Sequence, residues 1–302
     1  MTTTTVTATS AGTWQLGDLE INRVGFGAMR LAQSGEAFAA DAVPRDRNRA
    51  IAVLRQAVEL GVNHLDTAAF YFSPLRSANE LINQALAPYP DDLVITTKVG
   101  PSRAPSGHWL PHATPEQLRG QVEENLRQLG RDHLDVVNLR IVGTDSIAER
   151  FGALAELRDA GLIRHLGISN VTPAHLAEAQ AVAPVVCVQN QYGIGVHPEY
   201  DAFVRTCGEQ GVAFVPFYAI AGTGRTAGTR GTEHDAVLAV AAAHGASAAQ
   251  VKLAWTLHQG PHVLAIPGTG SPEHLAANVA AGALRLSEDE LATLNSLHQG
   301  GA

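Results

Sequence analysis

Residues 134–169 read LDVVNLRIVGTDSIAERFGALAELRDAGLIRHLGIS, and this stretch shows the unit from which the fold is built. Apolar runs at Leu134–Leu139 and Arg164–Ser169 predict two buried strands, and Ile147–Ala160 between them predicts a helix. Two strands joined through a helix lie parallel in one sheet, with the helix packed on a face of that sheet. The stretch therefore predicts an α/β protein with a parallel sheet.

The same unit recurs along most of the chain. The predicted strands are Arg23–Gly27, Asn63–Asp66, Leu93–Lys98, Leu134–Leu139, Arg164–Ser169, Val185–Gln189, Val212–Phe217 and Val263–Pro267. The predicted helices are Arg45–Leu60, Ala78–Leu86, Pro115–Leu129, Ile147–Ala160, Pro173–Ala181, Pro198–Gln210, Ala248–His258 and Pro272–Ala281. Eight such units with continuously apolar strands are typical of a closed parallel barrel, so we predict an α/β fold of the (β/α)8 TIM-barrel class.

The N-terminal region differs from the repeating part. Residues 1–12 are rich in Thr, Ala and Ser with no basic residue, and they predict a disordered tail. Thr13–Leu16 and Leu19–Ile21 flank Gly17-Asp18 and predict a small β-hairpin. Residues 13–302 contain no linker, and we predict that they form a single domain.

The turn after the first strand argues against one alternative fold. A doubly wound sheet that binds a dinucleotide carries G-x-G-x-x-G there, with an acidic residue about 20 positions later. Gly25-Phe26-Gly27-Ala28-Met29-Arg30 lacks the third glycine, so this fold is rejected. The stretch Ala221–Glu233 holds four glycines without an apolar period and predicts a loop after the seventh strand.

The composition excludes several classes of protein. The 302 residues contain 21 Lys and Arg against 29 Asp and Glu, which argues against nucleic acid as a partner because phosphate binding needs clustered basic residues. Hydrophobic residues make up 45% of the chain, too many for a disordered protein. No apolar run approaches the roughly 20 residues of a membrane span. Two cysteines and no signal peptide predict reduced thiols in a cytoplasmic protein, and we predict no metal site.

Polar side chains stand at the carboxyl ends of the predicted strands, where a barrel of this type carries its chemistry. Asp66 ends the second strand, Tyr71 follows five residues later, Lys98 ends the third strand and Arg140 follows the fourth. A tyrosine has a pKa of about 10, and a neighbouring ammonium held by a carboxylate stabilises its phenolate and lowers that pKa. The four residues predict a tyrosine that protonates an oxyanion as a hydride reaches its carbon. A structural interpretation also exists, with Arg140 as a surface residue paired with Asp145.

Several segments resemble those of a known family. Gly61–Tyr71 reads GVNHLDTAAFY and resembles the signature GxNxxDTAxxY of the aldo-keto reductases. The other similar segments, in the order that the family has them, are Val94–Gly100, Gly167–Asn170, Val188–Tyr192 and Ile266–Thr269. The resemblance covers nearly the whole chain.

This resemblance implies an NADPH-dependent oxidoreductase that reduces an aldehyde or ketone of a small molecule to an alcohol. Asp66, Tyr71 and Lys98 fall on three members of the family's catalytic tetrad, with Tyr71 as the general acid. The implied cofactor-binding positions are Ser169, Asn170 and Gln189 at the nicotinamide amide, Phe217 on the nicotinamide ring, and Gly268, Thr269, Ser271, His274 and Asn278 at the adenosine end. Phe217 also fits a barrel-core position, and His274 also fits a solvated helix position.

The chain departs from the family around the predicted substrate pocket. Arg140 stands where the family usually has His, and together with Trp109-Leu110-Pro111 it resembles a bacterial subgroup that includes pyridoxal reductases. We predict that Arg140 is the fourth catalytic residue and points into the pocket. Phe72 replaces the usual Gly after Tyr71, and we predict that Phe72 and Trp109 line the substrate pocket. Ala37–Val43 replaces a Trp-containing loop of the subgroup.

The cofactor segment departs at one position as well. His274 stands where the family frequently has Arg or Lys. A histidine adds positive charge only when it is protonated, so a contribution of His274 to phosphate binding depends on pH. The start of a helix at Ser271-Pro272 favours phosphate independently of that charge.

Two other functions compete with carbonyl reduction. One is a natural-product tailoring enzyme with non-reductive chemistry, which the unusual Phe72 and Arg140 allow. The other is an NADPH-binding sensor or regulatory subunit, which the intact Asp66, Tyr71 and Lys98 argue against. In each case the expected partner is a small molecule rather than a nucleic acid or a membrane, and the sequence predicts neither the substrate nor the oligomeric state.

Overall fold

The structure is a computed structural model that describes residues 6–36, 38–39, 42–220 and 233–300. The predicted loop at Ala221–Glu233 lies outside the described residues, except for Glu233.

A parallel sheet forms the centre of the molecule. The strands of the described residues are β1 (Thr13–Leu16), β2 (Leu19–Asn22), β3 (Phe26–Gly27), β4 (Gln33–Ser34), β5 (Val43–Pro44), β6 (His64–Asp66), β7 (Phe72–Ser73), β8 (Arg76–Ser77), β9 (Val94–Val99), β10 (Leu134–Arg140), β11 (Ile163–Ser169), β12 (Cys187–Gln189) and β13 (Ala213–Phe214). The central sheet contains, in the order in which they pair, β13, β12, β11, β10, β9, β6 and β3, and all neighbours run parallel.

Isolated backbone bridges close this sheet into a barrel. Val263 pairs with Phe214 of β13, and Ala265 pairs with Val24 just before β3, both in parallel orientation. The Gly25 amide donates to the Ala265 carbonyl at 2.8 Å. The predicted eighth strand therefore closes the barrel through single bridges rather than a continuous ladder, and the predicted (β/α)8 fold is confirmed.

Ten helices of the described residues surround the sheet. They are α1 (Arg47–Glu59), α2 (Ala78–Leu86), α3 (Pro115–Leu129), α4 (Ala148–Asp159), α5 (Pro173–Val182), α6 (Asp201–Glu209), α7 (Asp235–Ala243), α8 (Ala248–His258), α9 (Pro272–Ala280) and α10 (Glu288–Gly300). The predicted helix Pro198–Gln210 divides into a 3-10 turn at Pro198–Tyr200 and α6. The sequence patterns did not predict α7 and α10. Within the described part of the chain, no single helix is long and apolar enough to cross a membrane; α7 and α8 pass that test only as a pair, and they are bent by 92°.

Side-chain caps fix where several helices begin. Thr172 and Ser271 stand before α5 and α9, and their hydroxyls accept hydrogen bonds from the backbone amides of His175 and His274. A proline occupies the first turn of both helices, where its missing N–H costs no hydrogen bond. These caps place the starts of α5 and α9 at the carboxyl end of the barrel.

The hairpin β1–β2 covers the opposite end of the barrel. Leu16 and Ile21 are fully buried and pack with side chains of the barrel interior such as Val136. The turn residue Asp18 accepts a hydrogen bond from Arg164, at the start of β11, at 2.7 Å. The predicted hairpin is confirmed, and it leaves the carboxyl ends of the strands as the open end.

Residues 6–12 differ from the predicted disordered tail. Ala8–Ala11 form a turn of 3-10 helix, Ala8 is fully buried, and its amide donates to the Leu60 carbonyl at 2.8 Å. The prediction of disorder rested on the composition of this segment. The order comes instead from Ala8, whose small side chain is buried and whose amide bonds to Leu60 just after α1. The first five residues lie outside the described residues.

Arg23 connects distant parts of the chain next to the closure of the barrel. Its half-buried guanidinium donates to the backbone carbonyls of Ala11, Leu257, Gly260 and Val263. We expect Arg23→Met to lower the free energy of unfolding by about 3 kcal/mol, because these carbonyls lose a charged donor and part of them stays buried. Urea denaturation followed by circular dichroism measures this change.

Arg158 provides the control for this substitution. Its guanidinium pairs with the neighbouring Asp159, whose side chain is largely exposed, so Arg158→Met is expected to change the unfolding free energy by less than about 0.5 kcal/mol. If Arg23→Met costs no more than Arg158→Met, water replaces the guanidinium at the carbonyls and the proposed stabilisation is wrong.

Candidate active site

A cavity of about 430 Å³ opens at the carboxyl ends of the barrel strands. Three of the residues that line it stand at strand ends, namely Asp66 of β6, Lys98 of β9 and Gln189 of β12. Tyr71 and Arg140 line the same cavity. The structure therefore brings together the four predicted catalytic residues.

Lys98 and Asp66 form a buried ion pair at the base of the cavity. The Lys98 ammonium donates to the Asp66 carboxylate at 2.6 Å and to the Thr67 carbonyl at 3.0 Å. The second carboxylate oxygen of Asp66 accepts from the Gln189 amide at 2.7 Å. Burial alone would lower the pKa of Lys98, but Asp66 and Tyr71 together outweigh burial and the pKa is raised. Lys98 is therefore a fixed cation at neutral pH.

Tyr71 lies against this cation. The Lys98 nitrogen is 4.9 Å from the centroid of the Tyr71 ring, and the Phe70 ring meets it edge-on at 5.1 Å. Burial raises the pKa of Tyr71, Lys98 and Arg140 lower it, and burial prevails, so the pKa stays above its ordinary value of 10. The sequence predicted a lowered pKa because it shows the cation but not the depth of burial.

Arg140 ends β10 and turns toward the cavity rather than toward Asp145. Its guanidinium donates to the Ser169 hydroxyl at 3.0 Å and lies 4.9 Å from the centroid of the Phe217 ring. An Arg in this position adds a permanent positive charge to the wall that faces the other charged residues.

The positions assigned to the nicotinamide lie around the same cavity, with one exception. Phe217 and Gln189 line it, and Ser169 is buried directly behind Arg140. The Gln189 carbonyl oxygen is buried and has no hydrogen-bond partner among the described residues, so it is a free acceptor at the site. Asn170 is exposed, and its side-chain amide donates to the Ile141 carbonyl at 2.9 Å instead.

The positions assigned to the adenosine end follow the strand that closes the barrel. Gly268 lines the cavity, and a Cβ there would lie 2.5 Å from the Gly27 carbonyl oxygen, so only glycine allows this approach of the two backbones. Thr269 and Asn278 are buried, Ser271 caps α9, and His274 is exposed on the first turn of that helix.

The two predicted pocket residues separate. Trp109 lines the cavity beside Tyr71. Phe72 lines a neighbouring cavity, where its ring lies 4.6 Å from the Arg103 guanidinium. Its assignment to the Tyr71 pocket is corrected accordingly, since successive side chains of an extended segment point to opposite sides.

Sequence reasoning missed several residues of the cavity wall. Phe38 packs against Trp109 with 5.2 Å between ring centroids, and His112, Arg30 and Tyr218 line the cavity as well. Burial and the charges of nearby arginines lower the pKa of His112, and its Nδ1 has no hydrogen-bond partner among the described residues. Arg30 follows β3, so its position near a strand end could have predicted it. Phe38 and His112 come from loops without a periodic pattern and could not be predicted in this way.

Comparisons with known proteins place this site in a family. The sequence profile of the Aldo/keto reductase family matches residues 23–299. Pyridoxine 4-dehydrogenase of Escherichia coli is 45% identical over 295 residues, which cover 95% of this chain and 99% of that protein. An uncharacterised oxidoreductase of Schizosaccharomyces pombe is 38% identical, with 96% and 91% covered. An aldo-keto reductase of Klebsiella pneumoniae solved in complex with NADPH is 27% identical, with a TM-score of 0.74 and 92% of both chains covered. A match of this length, together with the identity to these relatives, shows that the chain belongs to the aldo/keto reductase family.

Proposed function

We propose that this protein is an NADPH-dependent reductase that converts a carbonyl group of a small molecule to an alcohol, with Tyr71 as the proton donor. The observation that carries the proposal is that Asp66, Lys98 and Tyr71 contact one another in sequence at the base of one cavity. The Lys98 ammonium lies 2.6 Å from the Asp66 carboxylate and 4.9 Å from the centroid of the Tyr71 ring. A fixed cation beside a protonated phenol is suited to the formation of an oxyanion next to that phenol.

The residues around the cavity fit NADPH. The free Gln189 acceptor suits a carboxamide N–H, the Phe217 ring suits an aromatic face, and the Gly268 backbone lines the same cavity. The solved relative from Klebsiella pneumoniae holds NADPH on a similar fold. When bound, NADPH supplies the hydride that reaches the carbonyl carbon. Ser169, Thr269, Ser271, His274 and Asn278 are the further positions that we assign to it.

The chain's own residues handle the proton and the negative charge. Tyr71 stays protonated at neutral pH because burial raises its pKa, so it has a proton to give to the carbonyl oxygen. Lys98 stabilises the phenolate that remains, and Asp66 keeps Lys98 charged. The O–H bond of Tyr71 breaks, the new O–H bond forms on the substrate, and solvent later returns a proton to Tyr71.

The cavity wall favours a flat substrate with oxygen or anionic substituents. Phe38, Phe70 and Trp109 form an aromatic rim, and Arg140 and His112 provide polar groups on the same wall. The similarity to pyridoxine 4-dehydrogenase makes pyridoxal and pyridoxine necessary members of a test panel. Phe72 does not obstruct them, because it lines the neighbouring cavity.

The decisive experiment is an NADPH-oxidation screen over aromatic aldehydes, pyridoxal, sugars and keto compounds, with mass analysis of the products. Reduction predicts a product two mass units heavier than the substrate, with one NADPH consumed for each. NADPH binding without turnover on any compound would favour a sensor or regulatory subunit. A product with another mass change would favour a tailoring enzyme.

Arg140 is expected to contribute a substantial part of the rate. We expect Arg140→Leu to lower kcat/KM roughly 30-fold, less than the loss of a fully buried oxyanion donor because the guanidinium is partly exposed. Arg140→His keeps a donor and should retain reduction of simple aldehydes while losing preference for anionic substrates. Steady-state kinetics with a neutral and an anionic aldehyde check both, and an unchanged kcat/KM in Arg140→Leu would show that the residue has no part in the reaction.

A further inference from the structure

Two arginines lie at the turn between the closing strand and α9. The Arg49 guanidinium donates to the Gly270 carbonyl at 3.1 Å. The Arg45 guanidinium also packs against Gly270, so close that a Cβ on Gly270 would be 2.7 Å from its Nη1. Arg45 is held by a second contact, from its Nε to the Gln33 carbonyl at 3.1 Å. The two cations therefore converge on the residue just before Ser271.

These cations form no close ion pair among the described residues, although Arg49 interacts electrostatically with Glu273. Neither Arg45 nor Arg49 has a carboxylate oxygen within 4.0 Å in that part of the chain, in contrast to Arg127, Arg131, Arg158 and Arg164. Burial and then the charge of Arg49 lower the pKa of Arg45. Like charges held together without a partner are unfavourable unless an anion joins them.

The positive charge continues toward the cavity. Arg30 lines the cavity, and the charge of Arg45 contributes, after burial, to a lowered pKa of Arg30. Arg30, Arg45 and Arg49 thus form a series of cations that leads from the cavity to the turn at Gly270. A ligand that starts in the cavity and carries several phosphates along its length matches this series.

The turn itself carries little net positive charge. His274 is exposed on the first turn of α9, and Glu273 beside it is exposed as well. The Ser271 hydroxyl holds the pKa of Glu273 below its usual range, with smaller contributions from Arg49 and His274. His274 and Glu273 oppose each other, so the two arginines supply the net charge at this turn.

We propose that Arg45 and Arg49 bind the 2′-phosphate that distinguishes NADPH from NADH, in place of the residue at position 274. This inference rests on the proposed function in one respect, namely that NADPH is the cofactor. A guanidinium keeps its charge throughout the accessible pH range, and its planar N–H groups fit phosphate oxygens. The preference for NADPH over NADH should therefore not fall as the pH rises from about 6 to about 8, because the arginines stay charged while the phosphate monoester, with a second pKa of about 6, gains negative charge.

The test compares dissociation constants of NADPH and NADH for Arg45→Met, Arg49→Met and the double variant, by quenching of protein fluorescence. We expect each single variant to weaken NADPH roughly tenfold and the double variant by more, with NADH changed less than about threefold. Arg47→Met is the matched control, because Arg47 lies on the same helix start but donates to Gln84 at 2.8 Å. Glu273→Gln should have the opposite effect and lower the dissociation constant of NADPH.

Three results would overturn the inference. The first is an equal loss of affinity for NADPH and NADH, which would mean that the arginines only support the structure of the turn. In that case Arg45→Lys, which keeps the charge, would not restore the affinity for NADPH. The second is a preference that falls as pH rises and disappears in His274→Ala. The third is an unchanged NADPH affinity in the double variant with the wild-type melting temperature. Absence of turnover on every carbonyl would instead contradict the proposed function and leave these binding results valid.

Discussion

Tyr71→Phe is expected to lower kcat for carbonyl reduction about 10³-fold, while the affinity for NADPH and the melting temperature stay close to those of the wild type. The substitution removes only the hydroxyl that we propose as the proton donor, and a positioned general acid is commonly worth about 10²–10⁴ in rate. The ring stays in its contacts with Phe38, Phe70 and the Lys98 ammonium. Single-turnover kinetics with a saturating aldehyde measure the chemical step.

The pH profile of the wild type tests the same assignment. Because burial raises the pKa of Tyr71, the phenol remains protonated through neutral pH, and the rate of reduction should stay level until the pH exceeds about 10. Tyr89→Phe is the control, since the Tyr89 hydroxyl donates to the Leu129 carbonyl outside the cavity. Near-normal turnover in Tyr71→Phe would remove this residue from the mechanism.

Lys98→Met is expected to impair both stability and catalysis. It leaves the Asp66 carboxylate buried without its cation, and breaking a buried pair in this way costs about 3–5 kcal/mol. It also removes the charge that stabilises the Tyr71 phenolate, so kcat should fall by at least about 10²-fold. Urea denaturation and kinetics on the folded fraction measure the two effects.

A second substitution separates the two effects. Lys98→Met combined with Asp66→Leu removes both charges, and most of the lost stability should return, since an apolar pair can replace a buried ion pair at little cost. Activity should not return. Lys252→Met, which removes a lysine paired with Glu233 near the surface, is the control for stability. Recovery of activity in the double variant would show that Lys98 serves only to neutralise Asp66.

The architecture of the barrel was predictable because it repeats. Buried apolar runs and capped helices recur with one period, and this periodicity identified all the barrel strands. It did not show that Val263–Pro267 contributes only isolated bridges, because one of these bridges depends on Val24, which lies more than 200 positions away from its partner Ala265. It also did not predict α7 and α10, because these helices do not belong to the repeating strand–helix unit.

The candidate site was predictable where it follows the strands. Asp66, Lys98, Arg140 and Gln189 stand at strand ends, and the structure brings them to one cavity. Phe38 and His112 belong to loops and Phe72 to the short strand β7, and the direction of these segments is set by tertiary contacts that no local pattern encodes. The direction of the Tyr71 pKa shift was missed for a related reason, since burial is a property of the whole fold.

The bridges that close the barrel join its first and last strands beside the cavity, so a ligand in the cavity can stabilise this closure. Gly27 and Gly268 meet beside the cavity, so we expect a nucleotide bound there to contact both edges of the closure. Any ligand that binds only the folded state adds RT ln(1 + [L]/Kd) to stability, about 2.7 kcal/mol at a concentration of 100 Kd. We therefore expect a saturating nucleotide to protect the folded protein against proteolysis as well as to support turnover.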